Sequence, residues 1–276
     1  MEEVTERLVV ITGASSGIGL AAAVELARRG DRVALVGRDP ARLSAAAADV
    51  RDVSGSLPPT HRADFSSLDD VRKLADELLS AYDRIDVLAN NAGAIVLHPV
   101  TTVDGFELTI QANHLAPFLL TALLRDRLGR MVATASGAHR VGAVDPRDLN
   151  RALKRYWPMR AYGMSKQANV LFAAEAARRW PSIISVSYNP GAVRTRFASG
   201  SRLVAWGMRK APFLRTPEKG AETLIWLAHA DPGMLVNGGY YHDHTARRPM
   251  ARATDRTLAS ELWDASERAV GLKGTT

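Results

Sequence analysis

A tyrosine and a lysine stand four residues apart in the chain, at Tyr162 and Lys166. The stretch 161–180 is predicted to be helical, so both side chains share one helix face. A phenol with its ordinary pKa of about 10 is a poor acid or base at neutral pH. A neighbouring ammonium group favours the phenolate and is expected to lower that pKa. The pair predicts proton transfer to or from a carbonyl oxygen, although such spacing also arises by chance on surface helices.

Two further polar residues could serve the same chemistry. Ser136 follows a predicted strand at 130–135, where its hydroxyl could bond a substrate oxygen and hold it against Tyr162. A serine in this position can also be a simple cap. Asn113 lies in a long predicted helix, and its amide could hold a water that connects Lys166 to solvent. The alternative for Asn113 is a hydrogen bond between helices.

A glycine-rich turn follows the first predicted strand, with the spacing G-x-x-x-G-x-G. Glycines permit a tight turn and let a pyrophosphate approach the backbone, and the next helix presents free N–H groups to the anion. A plain strand–helix turn is the alternative. The cofactor contacts predicted here are Gly13, Ser15, Ser16, Gly17, Ile18 and Gly19.

The end of the second strand indicates which dinucleotide binds. An NAD site usually carries an Asp or Glu there, which bonds the adenosine 2′-hydroxyl. This chain has Arg38, whose guanidinium can hold a 2′-phosphate through forked hydrogen bonds. No basic residue immediately precedes Gly17. The alternative is a solvated Arg38 paired with Asp39, and the favoured cofactor is NADP(H).

Three later strand ends complete the predicted cofactor site. After the third strand an aspartate could bond the adenine amino group or merely cap a turn. After the fourth, small residues could lie against the adenosine ribose, or form a simple turn. After the sixth strand, an N-P-G turn and a threonine could bind the carboxamide group of the nicotinamide. The residues predicted are Asp64 and Phe65, then Asn91, Ala92 and Gly93, then Pro190, Gly191, Val193 and Thr195.

These residues are positioned by an alternation of short apolar strands and helices along the whole chain. The pattern predicts a parallel sheet covered on both faces, with its ligand beyond the carboxyl ends of the strands. We expect a single α/β Rossmann-type domain over 1–276. Strands are predicted at 7–12, 32–37, 60–63, 85–90, 130–135, 183–188 and 239–241. Helices are predicted at 18–29, 40–50, 68–82 (capped by Ser67), 104–127 (kinked at Pro117), 161–180, 217–229 and 254–270.

Composition narrows the class of protein. The formal net charge is +7, but the arginines are scattered and form no block of like charge, which disfavours a nucleic-acid partner. The chain has no cysteine, so it has neither disulfides nor thiolate metal sites; no metal site is predicted. No apolar run is long enough to span a membrane, and with twelve residues before Gly13 we expect no membrane anchor. We expect a cytoplasmic protein.

The motifs T-G-x-x-x-G-I-G, N-N-A-G, a helical Asn, a Ser after strand five, Y-x-x-x-K and N-P-G occur in this order. In that order they resemble the short-chain dehydrogenase/reductase family, over about 7–241. The resemblance implies a doubly wound, seven-stranded parallel sheet in the order 3-2-1-4-5-6-7. It also implies a catalytic tetrad of Asn113, Ser136, Tyr162 and Lys166. One departure is Ala135, where many members carry a second serine. Relatives form dimers or tetramers through the helices after strands four and five, so a homo-oligomer is expected.

The spacing between Ser136 and Tyr162 indicates which branch of the family the chain resembles. Ser136 and Tyr162 are 26 residues apart, about twice the distance in many members. The inserted stretch 137–160 is similar to that of the retinol-dehydrogenase-like and protochlorophyllide-reductase-like branch. Those relatives reduce bulky lipophilic aldehydes and ketones, mostly with NADPH. His139, Tyr156 and Trp157 of the insertion are candidates to line the substrate pocket.

The segment 196–215 is rich in apolar and basic residues and is predicted to be a lid over the substrate. The alternatives are an ordinary amphipathic surface helix and a patch that touches a membrane or a partner protein.

Taken together, the sequence favours an NADPH-dependent carbonyl reductase acting on a bulky hydrophobic ketone or aldehyde, as in secondary-metabolite tailoring. The alternatives are oxidative use as an alcohol dehydrogenase and a non-catalytic regulator that senses NADP.

Overall fold

Strands and helices alternate along the computed structural model, which describes residues 6–193 and 214–272. Eight strands form one sheet in the order β3-β2-β1-β4-β5-β6-β7-β8. The strands are β1 (Leu8–Thr12), β2 (Arg32–Gly37), β3 (Thr60–Arg62), β4 (Ile85–Asn90), β5 (Leu128–Thr134), β6 (Ile184–Asn189), β7 (Tyr240–His242) and β8 (Thr245–Arg247).

The predicted order of the first seven strands is confirmed, and all seven are parallel. The eighth strand was not predicted. It pairs antiparallel with β7 through a two-residue turn, in which Asp243 and His244 both adopt positive φ, at 47° and 62°. Such a turn usually carries Asn-Gly or Asp-Gly, so Asp-His gives little warning of a hairpin.

Helices cover both faces of the sheet and enclose two cores. The helices are α1 (Gly17–Arg28), α2 (Pro40–Ser54), α3 (Leu68–Ala81), α4 (Leu108–Ile110), α5 (Ala116–Leu124), α6 (Arg151–Lys154), α7 (Pro158–Arg179), α8 (Pro217–His229) and α9 (Arg256–Ala269). One core lies under α1, α2 and α8. The other lies under α3, α5, α7 and α9. Among the described helices, none is long and apolar enough to cross a membrane.

Side-chain caps fix where several helices begin. Ser67 accepts a hydrogen bond from the Asp70 N–H at the start of α3, as predicted. Asp39 caps α2, and Asp255 caps α9 in the same manner. Such caps stabilise a helix by about 1 kcal/mol each. The starts of these helices are therefore set by local sequence.

The long helix predicted at 104–127 is interrupted. It begins at Leu108, because the Glu107 carboxylate accepts from the N–H groups of the first turn. A π-helical turn then spans Gln111–Leu115 and separates α4 from α5. Pro117 has no N–H to donate to the carbonyl of Asn113, which removes one ordinary helical hydrogen bond here. The predicted kink therefore appears as a wider helical turn, and this turn contains Asn113.

The helix α9 packs on α5 and α7. The Trp263 ring lies 5.0 Å from Phe118, 5.9 Å from Phe172 and 4.7 Å from Trp180, measured between ring centroids. The indole is buried, at 3% exposure. Aromatic contacts of this kind contribute about 0.5–1.5 kcal/mol beyond the burial of apolar area. The chain thus covers the outer face of α7 with its own C-terminal helix.

Candidate active site

Ser136, Tyr162 and Lys166 meet beyond the carboxyl end of β5. The hydroxyl groups of Ser136 and Tyr162 form a hydrogen bond. The Lys166 Nζ atom lies 5.4 Å from the centroid of the Tyr162 ring. Both side chains of the pair on α7 are buried. The structure therefore brings three members of the predicted tetrad to one point.

Burial controls the protonation of this pair. It raises the pKa of the Tyr162 phenol above its ordinary value, although the hydrogen bond with Ser136 acts in the opposite direction. It lowers the pKa of Lys166 to about 7. The phenol pKa is thus shifted in the direction opposite to the one expected from Lys166, because loss of hydration is the largest cause of the shift. At neutral pH Tyr162 is therefore held in its protonated form.

The Lys166 ammonium group is held at the end of β5. Its Nζ donates to the carbonyl oxygen of Thr134 over 2.9 Å. A Cβ added to Gly93 would lie 3.4 Å from the same Nζ and 3.1 Å from Asn113 Oδ1. A side chain at 93 would therefore crowd Lys166, and glycine keeps this space open. The N-N-A-G turn predicted to contact the cofactor thus adjoins Lys166.

The Asn113 side chain fixes the turn after β4. Its Oδ1 accepts from the Ala94 N–H over 2.8 Å, and its Nδ2 donates to the Ala94 carbonyl over 3.0 Å. Nδ2 also donates to Ser165 Oγ on α7 over 3.0 Å. Both amide hydrogens are thus engaged by protein atoms. The bond between helices that the sequence left as an alternative is present, and a water-relay role for Asn113 stays a prediction.

The insertion 137–160 packs directly against α7 near Tyr162. A Cβ added to Gly163 would lie 2.6 Å from the Ala138 carbonyl oxygen and 2.7 Å from the Gly142 nitrogen. A Cβ on Gly142 would in turn collide with the backbone of Met164. Contacts this short exclude any larger residue at either position. The two glycines, which the sequence analysis did not single out, set the distance between the insertion and Tyr162.

The glycine turn after β1 packs tightly against the turn after β4. A Cβ on Gly19 would lie 2.6 Å from Asn91 Nδ2 and closer still to the Gly13 carbonyl oxygen. A Cβ on Gly13 would lie 2.9 Å from the Ala92 Cα, and Gly13 also has a φ of +68°. Both glycines are therefore required by the packing of the turn. The predicted residues of the two turns therefore pack directly against one another, namely Gly13, Gly19, Asn91 and Ala92.

Thr12, which is not among the residues predicted from the sequence, joins these two turns by hydrogen bonds. Its hydroxyl donates to the Ala89 carbonyl and accepts from the N–H groups of Asn91 and Ala92, over 3.0–3.1 Å. Asn91 returns a hydrogen bond from Nδ2 to the Thr12 carbonyl over 2.9 Å. A threonine that ends a buried strand and precedes a glycine turn was the available signal.

The start of α1 fits an anionic group. Ser16 occupies the N-cap position, but its side chain makes no capping hydrogen bond, in contrast to Asp39 and Ser67. Gly17, the first helical residue, has a φ of +58°. The N–H groups of the first turn are therefore left for another acceptor, as in pyrophosphate-binding turns. The residues present fit a dinucleotide cofactor.

Arg38 lies beside this turn and is open to solvent. A Cβ on the preceding Gly37 would lie 3.3 Å from Ser15 Cβ, so the end of β2 touches the glycine turn. The Arg38 side chain is 69% exposed, with its nearest acidic partner Asp64 at 3.9 Å. Asp39 caps α2 and pairs with Arg42 at 3.2 Å. The predicted alternative, an Arg38–Asp39 pair, does not describe the structure.

The residues after β3 are partly committed to local structure. Asp64 Oδ1 accepts from the N–H and the hydroxyl of Ser66, over 3.0 and 2.8 Å. This is the turn cap that the sequence left as an alternative. The Phe65 ring is buried in the core under α3 and α5. A contact of Asp64 or Phe65 with adenine stays a prediction.

The N-P-G turn after β6 approaches the glycine turn from the other side. Gly191 has a φ of +81°, and its N–H donates to Asn189 Oδ1 over 3.0 Å. A Cβ on Gly220 of α8 would lie 2.7 Å from the Val193 side chain and 3.2 Å from that of Ile18. Val193 and Ile18, both predicted to contact the cofactor, therefore lie close together beside Gly220. Pro190 lies in the same turn.

The lid segment predicted at 196–215 lies mostly outside the described residues, as does Thr195. Leu214 and Arg215 are described. Arg215 forms a bridge with Val193 and an ion pair with Asp243. The chain therefore returns beside the N-P-G turn after residue 213. The predicted roles of Thr195 and of the lid stay predictions.

Of the three insertion residues proposed to line a pocket, two have other contacts. His139 is fully buried, so it does not line an open pocket. The Tyr156 hydroxyl donates to the Val96 carbonyl over 2.8 Å and joins the insertion to the turn after β4. Trp157 is 56% exposed at the start of α7. Trp157 alone presents its side chain to solvent.

Comparison with known proteins gives a consistent result. The sequence model of the family described as short chain dehydrogenase matches residues 7–203. A Streptomyces sp. (strain C5) protein, provisionally named daunorubicin C-13 ketoreductase DnrU, is 51% identical over 96% of this chain and 93% of its own length. Human retinol dehydrogenase 13 is 36% identical over 97% of this chain and 85% of its own. The predicted resemblance to the retinol-dehydrogenase-like branch is confirmed.

A solved structure extends the likeness to the fold. A short-chain dehydrogenase from Sphingobium yanoikuyae, in complex with NADPH, superposes with a TM-score of 0.64 at 28% identity. The match covers 80% of this chain and 84% of that one.

Proposed function

This chain belongs to the short-chain dehydrogenase/reductase family of oxidoreductases, and from that premise we propose that it is an NADPH-dependent ketoreductase. Its substrate is a bulky, apolar ketone or aldehyde, which it reduces to the alcohol. The observation that carries the proposal is the hydrogen bond between Ser136 and a buried, protonated Tyr162 beside Lys166. Reduction of a carbonyl group requires a proton donor positioned close to its oxygen, and Tyr162 is such a donor.

The side chains divide the reaction between them. The Ser136 hydroxyl binds the substrate oxygen and holds it against Tyr162. A reduced nicotinamide, when bound, supplies a hydride to the carbonyl carbon. Tyr162 gives its hydroxyl proton to the carbonyl oxygen, so that carbon and oxygen together gain the two hydrogens of the alcohol. Lys166, held by the Thr134 carbonyl, stabilises the negative charge that develops on the phenol oxygen.

The cofactor would be held by residues from several strand ends. The first turn of α1, which has no side-chain cap, would receive the pyrophosphate. The turns at Asn91 and Gly191 would flank the ribose and the carboxamide. Arg38, exposed and weakly paired, would bind the 2′-phosphate, which supports NADPH over NADH. A cell keeps NADPH mostly reduced, so this choice also favours reduction as the working direction.

Replacement of Arg38 tests the cofactor preference. We expect Arg38→Asp to raise the KM for NADPH by about tenfold or more, because a charge-assisted forked hydrogen bond contributes about 1.5–3 kcal/mol. The KM for NADH should change by less than about threefold, since NADH has no phosphate at this position. The measurement is steady-state kinetics with both cofactors.

The matched control for this variant is Arg51→Asp. Arg51 lies in the last turn of α2, the helix that follows Arg38 in the chain. Its side chain is 53% exposed and forms an ion pair with Asp52. The control makes the same change of net charge away from the glycine turn. Equal losses with NADPH and NADH in Arg38→Asp would remove Arg38 from the 2′-phosphate site.

The segment that precedes Tyr162 favours a large apolar substrate. Three apolar side chains of the insertion and of the first turn of α7 are well exposed, namely Val141 at 46%, Trp157 at 56% and Met159 at 39%. Met159 stands three residues before Tyr162 and shares its helix face. The name of the Streptomyces relative specifies reduction of the C-13 ketone of daunorubicin. We include that ketone in the proposal.

A cofactor-oxidation assay tests the function. Loss of NADPH absorbance would be followed with daunorubicin, aromatic ketones, quinones and long-chain aldehydes, in parallel with NADH. We expect turnover of at least one polycyclic ketone with NADPH, and little with NADH. Tight NADPH binding without turnover of any carbonyl would count against the proposal and favour the sensor alternative.

A further inference from the structure

The carbonyl oxygen of Ser136 is held by a histidine three residues further along the chain. The His139 backbone N–H donates to this oxygen over 3.1 Å, and the ring Nδ1 lies 2.7 Å from it. The ring is fully buried and packs edge-on against Tyr240, at 5.2 Å between centroids. Because a carbonyl oxygen only accepts, Nδ1 carries the hydrogen.

The second ring nitrogen is fixed as well. The Met250 N–H donates to His139 Nε2 over 3.3 Å, so Nε2 carries no hydrogen and the ring is neutral. Burial lowers the pKa of His139, and the nearby Arg140 cation acts in the same direction, against the Ser136 carbonyl. Arg140 and Tyr240 are the charged and titratable groups close to the ring. Contacts on both nitrogens therefore define one tautomer.

This arrangement is anchored on the catalytic helix. The Met250 sulfur accepts from Gln167 Nε2 at 3.5 Å, and Gln167 Oε1 accepts from the Val144 N–H over 2.9 Å. Gln167 is buried and directly follows Lys166 on α7. The C-terminal segment, the insertion and α7 are thus joined through one residue. His139 extends that connection to the loop that carries Ser136.

We propose that His139 is a positioning residue, which directs the Ser136 hydroxyl toward Tyr162 by holding the Ser136 carbonyl. The inference rests on the proposed function for its kinetic consequences. Ser136 has three constraints: its carbonyl is bound by His139, its Oγ accepts from the Ala138 N–H over 3.2 Å, and its hydroxyl meets Tyr162. Without the ring, the peptide group after Ser136 is held by local backbone contacts alone.

Two substitutions separate the two ring contacts. In His139→Asn the amide nitrogen can take the place of Nδ1 and still donate to the Ser136 carbonyl. In His139→Gln the longer side chain places its oxygen near Nε2, where it can accept from Met250 but does not replace Nδ1. We expect kcat to fall by up to about 100-fold in His139→Gln, as small misplacements of reacting groups do. His139→Asn should retain most of its kcat, and the Kd for NADPH should be unchanged in both.

The pH profile and a double variant distinguish positioning from mere support of the fold. Ser136, Lys166 and Tyr188 are the groups close to Tyr162, and the hydrogen bond from Ser136 lowers its pKa. Loss of this bond raises the pKa of Tyr162, so a decline of the reduction rate caused by ionisation of Tyr162 should move to higher pH in His139→Gln only. The decline caused by deprotonation of Lys166, whose pKa is about 7, should not move. Adding His139→Gln to Ser136→Ala should cost less than about threefold more. Losses that multiply would overturn the inference.

A readout without turnover separates this inference from the proposed function. Two-dimensional ¹H–¹⁵N spectra of the histidine rings report the tautomer and titration of His139 in the unmodified protein, with His139→Asn for assignment. We expect a neutral Nδ1–H ring at neutral pH, because burial lowers the pKa of His139 below its ordinary value. An Nε2–H tautomer, or titration at the ordinary pKa, would overturn the inference even if every ketone were reduced. Unaltered kinetics in His139→Gln beside an impaired Ser136→Ala would also overturn it, whereas an inactive parent enzyme would count against the proposed function alone.

Discussion

Replacement of Tyr162 by phenylalanine is expected to lower ketone turnover by about 10²–10⁴-fold while NADPH still binds. The phenylalanine ring fills the same buried space, so the loss is confined to one hydroxyl and its bond to Ser136. Without that hydroxyl, the substrate oxygen keeps its hydrogen bond to Ser136 but loses its proton donor. The measurement is single-turnover oxidation of NADPH, together with a fluorescence titration of NADPH binding.

Tyr188→Phe is the matched control. Tyr188 is fully buried in β6, and its hydroxyl lies 3.3 Å from Thr134 Oγ1. The control therefore removes a second buried hydroxyl from the same end of the sheet and should keep most of the turnover. Substantial turnover in Tyr162→Phe would exclude Tyr162 as the proton donor.

Replacement of Gly19 by alanine is expected to weaken NADPH binding by about 100-fold. The new methyl group would lie 2.6 Å from Asn91 Nδ2 and closer still to the Gly13 carbonyl oxygen. Relief of this overlap requires the glycine turn and the N-N-A-G turn to separate. Overpacking of this kind costs about 1–3 kcal/mol, and every 1.4 kcal/mol is a tenfold change in affinity.

Gly233→Ala serves as the control for this substitution. A Cβ at Gly233 meets no atom within 4 Å, so the same chemical change should leave the Kd for NADPH unaltered. Thermal unfolding of both variants shows whether the Gly19 variant is still folded at the temperature of the titration. A Kd equal to that of the parent protein in a folded Gly19→Ala variant would contradict the tight packing of the two turns.

The sequence predicted the parts of the fold that depend on local patterns. Strand β4 at Ile85–Asn90 and helix α8 at Pro217–His229 have the predicted bounds, because apolar periodicity and caps are local signals. The π-helical turn at Gln111–Leu115 was foreseen only as a kink at Pro117. The exact response of a helix to a missing donor depends on its neighbours, which the local sequence does not specify.

The residues of the candidate site could be predicted from the sequence, but the contacts that hold them in place could not. Tyr162, Lys166 and Ser136 follow from a motif and from strand ends. The roles of Thr12 and Gly142, and the contact of His139 with Met250, depend on segments far apart in the chain, and no spacing within the sequence encodes them. The phenol pKa was predicted with the wrong sign, since the effect of burial depends on what the completed fold places around the ring.

The C-terminal helix α9 has a consequence for how the catalytic helix is supported. Helices α5 and α7 present an aromatic face, at Phe118 and Phe172, and α9 covers it with Trp263. Trp263 belongs to the same chain as Phe118 and Phe172, so this aromatic face is covered by an intramolecular contact. The support that this contact gives to the helix carrying Tyr162 therefore does not depend on protein concentration.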